Sequence, residues 1–220
     1  AVVMTLTTQG DAPIHYTLDG SEPTAASPRY TEPVEIGKSA RFRATALREG
    51  GENVSYSREF VFSKSTGHPA VLNTKPNDSY TFEGASLLVD GYHSRPVFTS
   101  GAWLGYLDEP LDVTIDMGGE QSYSSVELET LAEKGDWIFP PSSVTVWVSD
   151  NGTDFTEVAS VSVPEAKAGD ADGIGRYRMQ FPETSARYLK VVAQNAAAIP
   201  AWHPGAGSKG FLFVDEVVVE

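Results

Sequence analysis

The chain has no cysteine among its 220 residues. That excludes a disulfide framework, a thiolate zinc site and a cysteine nucleophile together. Basic residues are scarce: 16 Lys and Arg stand against 30 Asp and Glu, a formal net charge of -14. Nucleic acid and anionic membrane surfaces both need clustered cations, so neither is an expected partner. No apolar run reaches the length of a spanning helix, so no membrane insertion is expected. No window keeps a helical apolar period for three turns. No Ser-His-Asp or phosphate-loop pattern is present. The four histidines, His15, His68, His93 and His203, show no metal-ligand spacing. An initiating Met and a signal peptide are also missing. The chain is therefore expected to come from a longer polypeptide, with any targeting signal upstream.

What is present is β-structure. Short β-branched or alternating runs recur at 14–18, 41–47, 56–62, 113–116, 125–130, 144–149, 157–163, 176–181, 188–194 and 211–219. Turn residues separate them, among them Asp19-Gly20, Gly50-Gly51, Gly118-Gly119 and Asn151-Gly152. Many short strands with such turns predict β-sandwiches. Asn151-Gly152 suits the positive φ angles of a tight hairpin. A short helical turn is expected near Ala85-Ser86-Leu87-Leu88, and a long loop over 167–175. In the run 41–47, alternation puts Phe42, Ala44 and Ala46 on one face, toward a core. Residues 63–69, polar and ending in Gly67-His68-Pro69, read as a linker. Charge divides there too: residues 1–66 carry a net of -1 and the remainder -13. Two domains, 1–66 and 67–220, follow.

The first of these resembles the small immunoglobulin-like domain that follows the catalytic domain of chitobiases and related β-hexosaminidases. The resemblance rests on Ile14-His15-Tyr16-Thr17-Leu18-Asp19-Gly20-Ser21-Glu22-Pro23-Thr24, on Ser27-Pro28-Arg29-Tyr30 and on Arg41-Phe42-Arg43-Ala44-Thr45-Ala46. Residues 69–220 resemble a coagulation-factor C-type (discoidin) domain, the fold shared by family 32 carbohydrate-binding modules. Here the matching pieces include Gly84-Ala85-Ser86-Leu87-Leu88-Val89-Asp90-Gly91, Trp103-Leu104-Gly105-Tyr106, Ile138-Phe139-Pro140-Pro141 and Ala186-Arg187-Tyr188-Leu189-Lys190-Val191. Trp202-His203-Pro204-Gly205 and Phe211-Leu212-Phe213-Val214-Asp215-Glu216 are similar to the tails of family 20 glycoside hydrolases. The resemblances imply an all-β chain, a small immunoglobulin-like β-sandwich followed by a discoidin-type jelly-roll β-sandwich. They imply a non-catalytic accessory region of a bacterial β-N-acetylhexosaminidase-like enzyme, periplasmic or extracellular. Its partners would be that enzyme's catalytic domain and a carbohydrate, a terminal N-acetylhexosamine or galactose-like sugar. The alternative is a purely structural role, buttressing the catalytic domain or a dimer.

Three sets of residues carry the candidate chemistry. Asp215-Glu216 looks like a catalytic acid pair, but neighbours in a strand face opposite ways and cannot converge on one glycosidic bond without a bulge. The discoidin resemblance implies a structural Ca²⁺, with Asp90 and Glu216 at its acidic positions. Ser94 and the carbonyls of Leu87 and His93 could add oxygens. The family's threonine position is Arg95 here, which weakens an all-oxygen site. The alternative is that Asp90 only shapes a turn with Gly91. For sugar, aromatic faces and planar polar groups are needed on loops. The candidates are Trp202, His203, Trp137, His93, Arg95 and Lys209, with end-capping of the sandwich as the competing role. Trp103 and Trp147 read as core.

Overall fold

A computed structural model describes residues 2–48 and 50–220. The chain divides into two compact units, Ala1–Phe62 and Ser63–Glu220.

In the first unit, β1 (Val2–Met4) pairs antiparallel with β3 (Val34–Ile36), and β2 (Ile14–Thr17), β4 (Ala40–Ala46) and β5 (Val54–Phe60) pair in the order β2–β4–β5. The period of two places Phe42, Ala44 and Ala46 inside, as the alternation requires. Phe60 and Ile36 complete that core, and the Tyr16 ring stacks on Phe42 with centroids 5.9 Å apart. The Asp19-Gly20 turn closes through the Asp19 carboxylate, which accepts from the Ser21 amide at 2.9 Å.

In the second unit, short pieces come first: β6 (Ala70–Leu72), a 3-10 turn at Gly84–Val89, β7 (Tyr92–His93) and β8 (Leu104–Tyr106). The helical turn expected at 85–88 is thus present. Two long strands then dominate, β9 (Leu111–Ala132) and β12 (Gly173–Gln194), with β10 (Ser143–Ser149), β11 (Thr156–Ser162) and β13 (Leu212–Val219). Sequence expected Gly118-Gly119 to end a strand. Instead β9 runs through it, with Gly118 at φ +76°. In β12 the pairing against β9 slips at Gln180/Thr184 and again at Ala186/Tyr188. These irregularities let each long strand serve two sheets. One half of β9 (111–116) pairs with β6 and with the end of β12, which continues to β10 and β11. The other half (125–132) pairs with the start of β12 and with β13, which continues to β8. At the second slip Arg187 clamps Asp116 with two bonds, Nε to Oδ1 at 2.9 Å and Nη2 to Oδ2 at 2.8 Å. This holds the Asp116 carboxyl down at about 2.

The core between these sheets is written by alternation. Leu111, Val113, Ile115 and Met117 of β9 lie side by side with Leu189, Val191 and Ala193 of β12 and Val144, Val146 and Val148 of β10, and they share one core with Val126, Leu128, Met179, Val214 and Val217 of the other half. The parity corrects one expectation: Trp147 lies on the opposite face from the three valines and is only partly buried. Trp103 is fully buried, as expected, in a second cluster with Leu131, Ile138 and Phe213. Asn151-Gly152 does sit between β10 and β11, but in a wider loop than a two-residue hairpin. The Asn151 side-chain oxygen takes the amides of Thr153 and Asp154, both at 2.9 Å, which rounds the turn out. The long loop expected over 167–175 is shorter, because residues 173–175 pair with 130–132 of β9. Residues 63–69 are bonded into the second unit. Lys64 N donates to Val219 O, Gly67 N to Val89 O, and the buried Ser65 hydroxyl to Val217 O.

Candidate functional site

One end of the second unit is built from three connections: 133–142 between β9 and β10, 163–172 after β11, and 195–211 before β13. Pro140, Pro141, Pro164 and Pro200 stiffen them and keep them out of the sheets. They enclose an open groove of about 480 Å³, lined mainly by Phe139, Pro140, Ala166, Ala198, Ile199 and Pro200. Trp202 is next to it. Its indole N–H donates to the carbonyl of the groove residue Ala166 at 3.0 Å, which fixes the ring and leaves it 39% exposed. Trp137 is 42% exposed and sits at φ +65°, an unusual conformation for an indole-bearing residue.

His203 lies between these rings and Phe139, edge-on to each at centroid distances of 5.6 Å from Trp202, 6.0 Å from Trp137 and 5.5 Å from Phe139. It is buried. Its Nδ1 accepts from Gly205 N at 3.1 Å, so Nε2 carries the proton and donates to Lys134 O at 2.9 Å. Both ring nitrogens are therefore engaged within the protein. Lys134, also buried, donates to Asp170 O and pairs with Asp172, holding the 167–172 loop and keeping the Asp172 carboxyl below its ordinary value. Gly205 is needed here. A Cβ on it would stand 2.8 Å from the Trp137 ring. Gly205→Ala is expected to displace that indole, shift the tryptophan emission, and cost about 1–3 kcal/mol of stability by urea titration.

Lys209, Arg95 and His93 lie apart from this aromatic group. Lys209 Nζ pairs with Asp108 at 2.6 Å, beside a polar depression of about 240 Å³ that includes Asn77, Asp78 and Glu109. Arg95 is exposed, and its carbonyl accepts from Trp103 Nε1 at 2.9 Å.

His93 belongs to a buried acidic centre. The pairing of β13 with β9 slips between Val214 and Val217, opposite Glu129. This is the bulge that the sequence argument against Asp215-Glu216 had set as its exception. It carries both carboxylates inside, with no exposure on either. Asp215 Oδ2 accepts from Ser94 N at 2.7 Å, and Glu216 Oε2 from Gly91 N at 3.3 Å. Burial is the main force raising both carboxyls well above their ordinary values. The nearby charges of Asp90 and Glu129 act in the same direction on Asp215, as do those of Asp90 and Asp215 on Glu216. The Asp90 carboxyl lies close to that of Glu216, and its Oδ1 accepts from the Tyr92 amide at 3.1 Å. Ser94 Oγ turns toward Ala102 O at 3.4 Å, and the Leu87 side chain lies in the core. The structure thus brings Asp90 and Glu216 together and adds Glu129 and Arg176, which sequence reasoning did not single out. Glu129 Oε2 lies 2.8 Å from His93 Nδ1 and accepts from Arg176 Nε at 2.8 Å. The only sequence signal was an acid inside an apolar strand.

Residues 73–209, more than half of the chain, match the F5/8 type C domain family, and residues 4–60 match the family described as Fn3 associated. No curated protein matches the chain. Among solved structures, the chain is similar to the CBM32-5 module of CpGH89 from Clostridium perfringens, in complex with GalNAc-beta-1,3-galactose. That likeness has 17% identity and a TM-score of 0.46, over 69% of this chain and 93% of that one. A chitosan-binding module of a Paenibacillus sp. IK-5 chitosanase/glucanase, in complex with chitotriose, has 18% identity and a TM-score of 0.46, over 71% and 98%. A Streptococcus pneumoniae fucose binding module has 22% identity and a TM-score of 0.45, over 72% and 94%.

Proposed function

We propose carbohydrate binding for the second unit of this chain, which belongs to the F5/8 type C domain family. The observation that carries the proposal is Trp202, a half-exposed indole pinned at the edge of an apolar groove between rigid loops. An immobilised aromatic face suits the apolar face of a sugar ring, because little freedom remains to be lost on binding. Trp137 supplies a second such face, and Glu165 and Ser142 in the groove lining supply hydroxyl partners. The sugar class is terminal N-acetylhexosamine or a galactose-like residue. In this reading the chain is the accessory region of an exported, β-N-acetylhexosaminidase-like glycoside hydrolase and concentrates that enzyme on its substrate by tethering. The residues at 14–24, 202–205 and 211–216 support that parent.

Calcium enters the same proposal as a structural ion held by Asp90 and Glu216. Two neighbouring carboxyls, one with a buried oxygen that has no hydrogen-bond partner among the described residues, fit a hard cation. The ion would supply charge balance to Glu216, whose carboxyl lies wholly inside.

Calorimetric titration of the chain with N-acetylhexosamines and galactosides tests the sugar proposal. Binding at millimolar or lower concentration is expected, and Trp202→Ala should weaken it at least about tenfold, or ~1.4 kcal/mol. A second reading, in which the loop aromatics only cap the sandwich, is favoured by the full engagement of His203. No heat with any of these sugars, or equal affinity in Trp202→Ala, would decide for it.

A further inference from the structure

The buried centre holds more acid than one oxygen-lined cation explains. Glu129, Asp215 and Glu216 are almost wholly inside, and Arg176 Nε reaches Glu129 Oε2 at 2.8 Å. Buried carboxylates need partners. Yet among the described residues Asp215 Oδ1, Glu129 Oε1 and His93 Nδ1 have no hydrogen-bond partner. His93 Nδ1 is 2.8 Å from Glu129 Oε2, but not aligned as a hydrogen bond. Two ligands at right angles on one metal, each at ~2.1 Å, stand about 3 Å apart. One ring nitrogen and one oxygen from each of Glu129 and Asp215 all lie within 4.8 Å of one another.

Three elements fix these side chains. Asp215 is turned inward by the β13 bulge and tied to Ser94 N; Glu129 is held from outside by Arg176; His93 has a side chain only 9% exposed on β7. Such an array is preorganised and faces inward. We infer that His93, Glu129 and Asp215 bind a divalent transition metal, at a site separate from the oxygen pair Asp90 and Glu216. An imidazole with two carboxylates is a ligand set of the zinc and manganese kind, whereas Ca²⁺ takes oxygen ligands. Glu216, adjacent in sequence to Asp215, turns to Gly91 and Asp90 instead. The bulge thus deals two neighbouring carboxylates to two different ions. The inference does not depend on sugar binding.

The test is zinc titration of the whole chain after chelator treatment, with calcium run in parallel. One zinc is expected to bind and to raise the melting temperature. His93→Gln should weaken zinc at least about tenfold while leaving the calcium response intact, and Glu216→Gln should do the reverse. No zinc binding below roughly 1 mM, or unchanged zinc affinity in His93→Gln, overturns the inference. A stable protein whose His93 is a protonated partner of Glu129 would give that outcome. Should both His93→Gln and Asp215→Asn fail to fold by circular dichroism, a zinc-soaked crystal of the unaltered chain decides. Anomalous density between the three side chains supports the site, and its absence there overturns it.

Discussion

Trp103→Ala is expected to destabilise the second unit by about 3–5 kcal/mol, the range for emptying a buried indole site. Trp103 is wholly buried against Leu131, Ile138 and Phe213, with Tyr80 and Phe98 at the edge of the cluster. The Tyr80 and Phe213 centroids are 4.7 Å apart, edge to face, so the remaining rings are already locked and collapse poorly into a void. Trp103 also donates to the Arg95 carbonyl, closing the loop that carries Ser94 toward Asp215. Its removal should therefore loosen the acidic centre as well as the core. Trp103→Phe keeps most of the volume and loses that bond, and should cost clearly less. The urea midpoints of the two variants are the measurement. A loss below about 1 kcal/mol for Trp103→Ala would show that the cluster is not a cooperative part of the core.

The fold was largely legible because its grammar is local. Phe42, Ala44 and Ala46 share a face by the period of two, and the same period fills the larger core from β9, β10 and β12. The failures were of one kind, where a local signal has two readings. Gly118-Gly119 reads as a turn, yet glycine equally lets a strand bend from one sheet to the next, and only the partner strand chooses. Trp147 reads as core because it lies in an alternating strand, but the same alternation puts Val144, Val146 and Val148 inside and sends it to the other face. The candidate site was half legible for the same reason. Trp137 is far in sequence from the adjacent Trp202 and His203 and meets them through loops, which Pro and Gly made recognisable as loops but not as neighbours. Asp90 and Glu216 followed from the discoidin resemblance. Glu129 could not, since its burial depends on which face of β9 is covered. Asp215 was discounted by strand geometry, and the bulge that turns it inward leaves no mark in sequence.

That bulge sets up the other large effect, a dependence of stability on pH that a cation should flatten. Asp215 and Glu216 have folded-state pKa values raised above 3.8 and 4.5, so the folded chain binds more protons than the unfolded one once pH passes those values. Stability from these groups must then fall as pH rises, by up to about 1.4 kcal/mol per pH unit for each carboxyl. Neither side chain has any exposure, so solvent does not screen the penalty. In chelator, the urea midpoint should drop between about pH 5 and about pH 8, where ordinary carboxylates no longer titrate. A bound cation replaces the protons, so saturating Ca²⁺ should raise the midpoint far more at the upper pH and flatten the slope. Glu216→Gln, neutral at every pH, should flatten it without calcium. Stability that climbs from pH 5 to 8 in chelator, or a slope unmoved by both calcium and Glu216→Gln, would mean that the buried carboxylates find their counter-charge within the protein and need no ion.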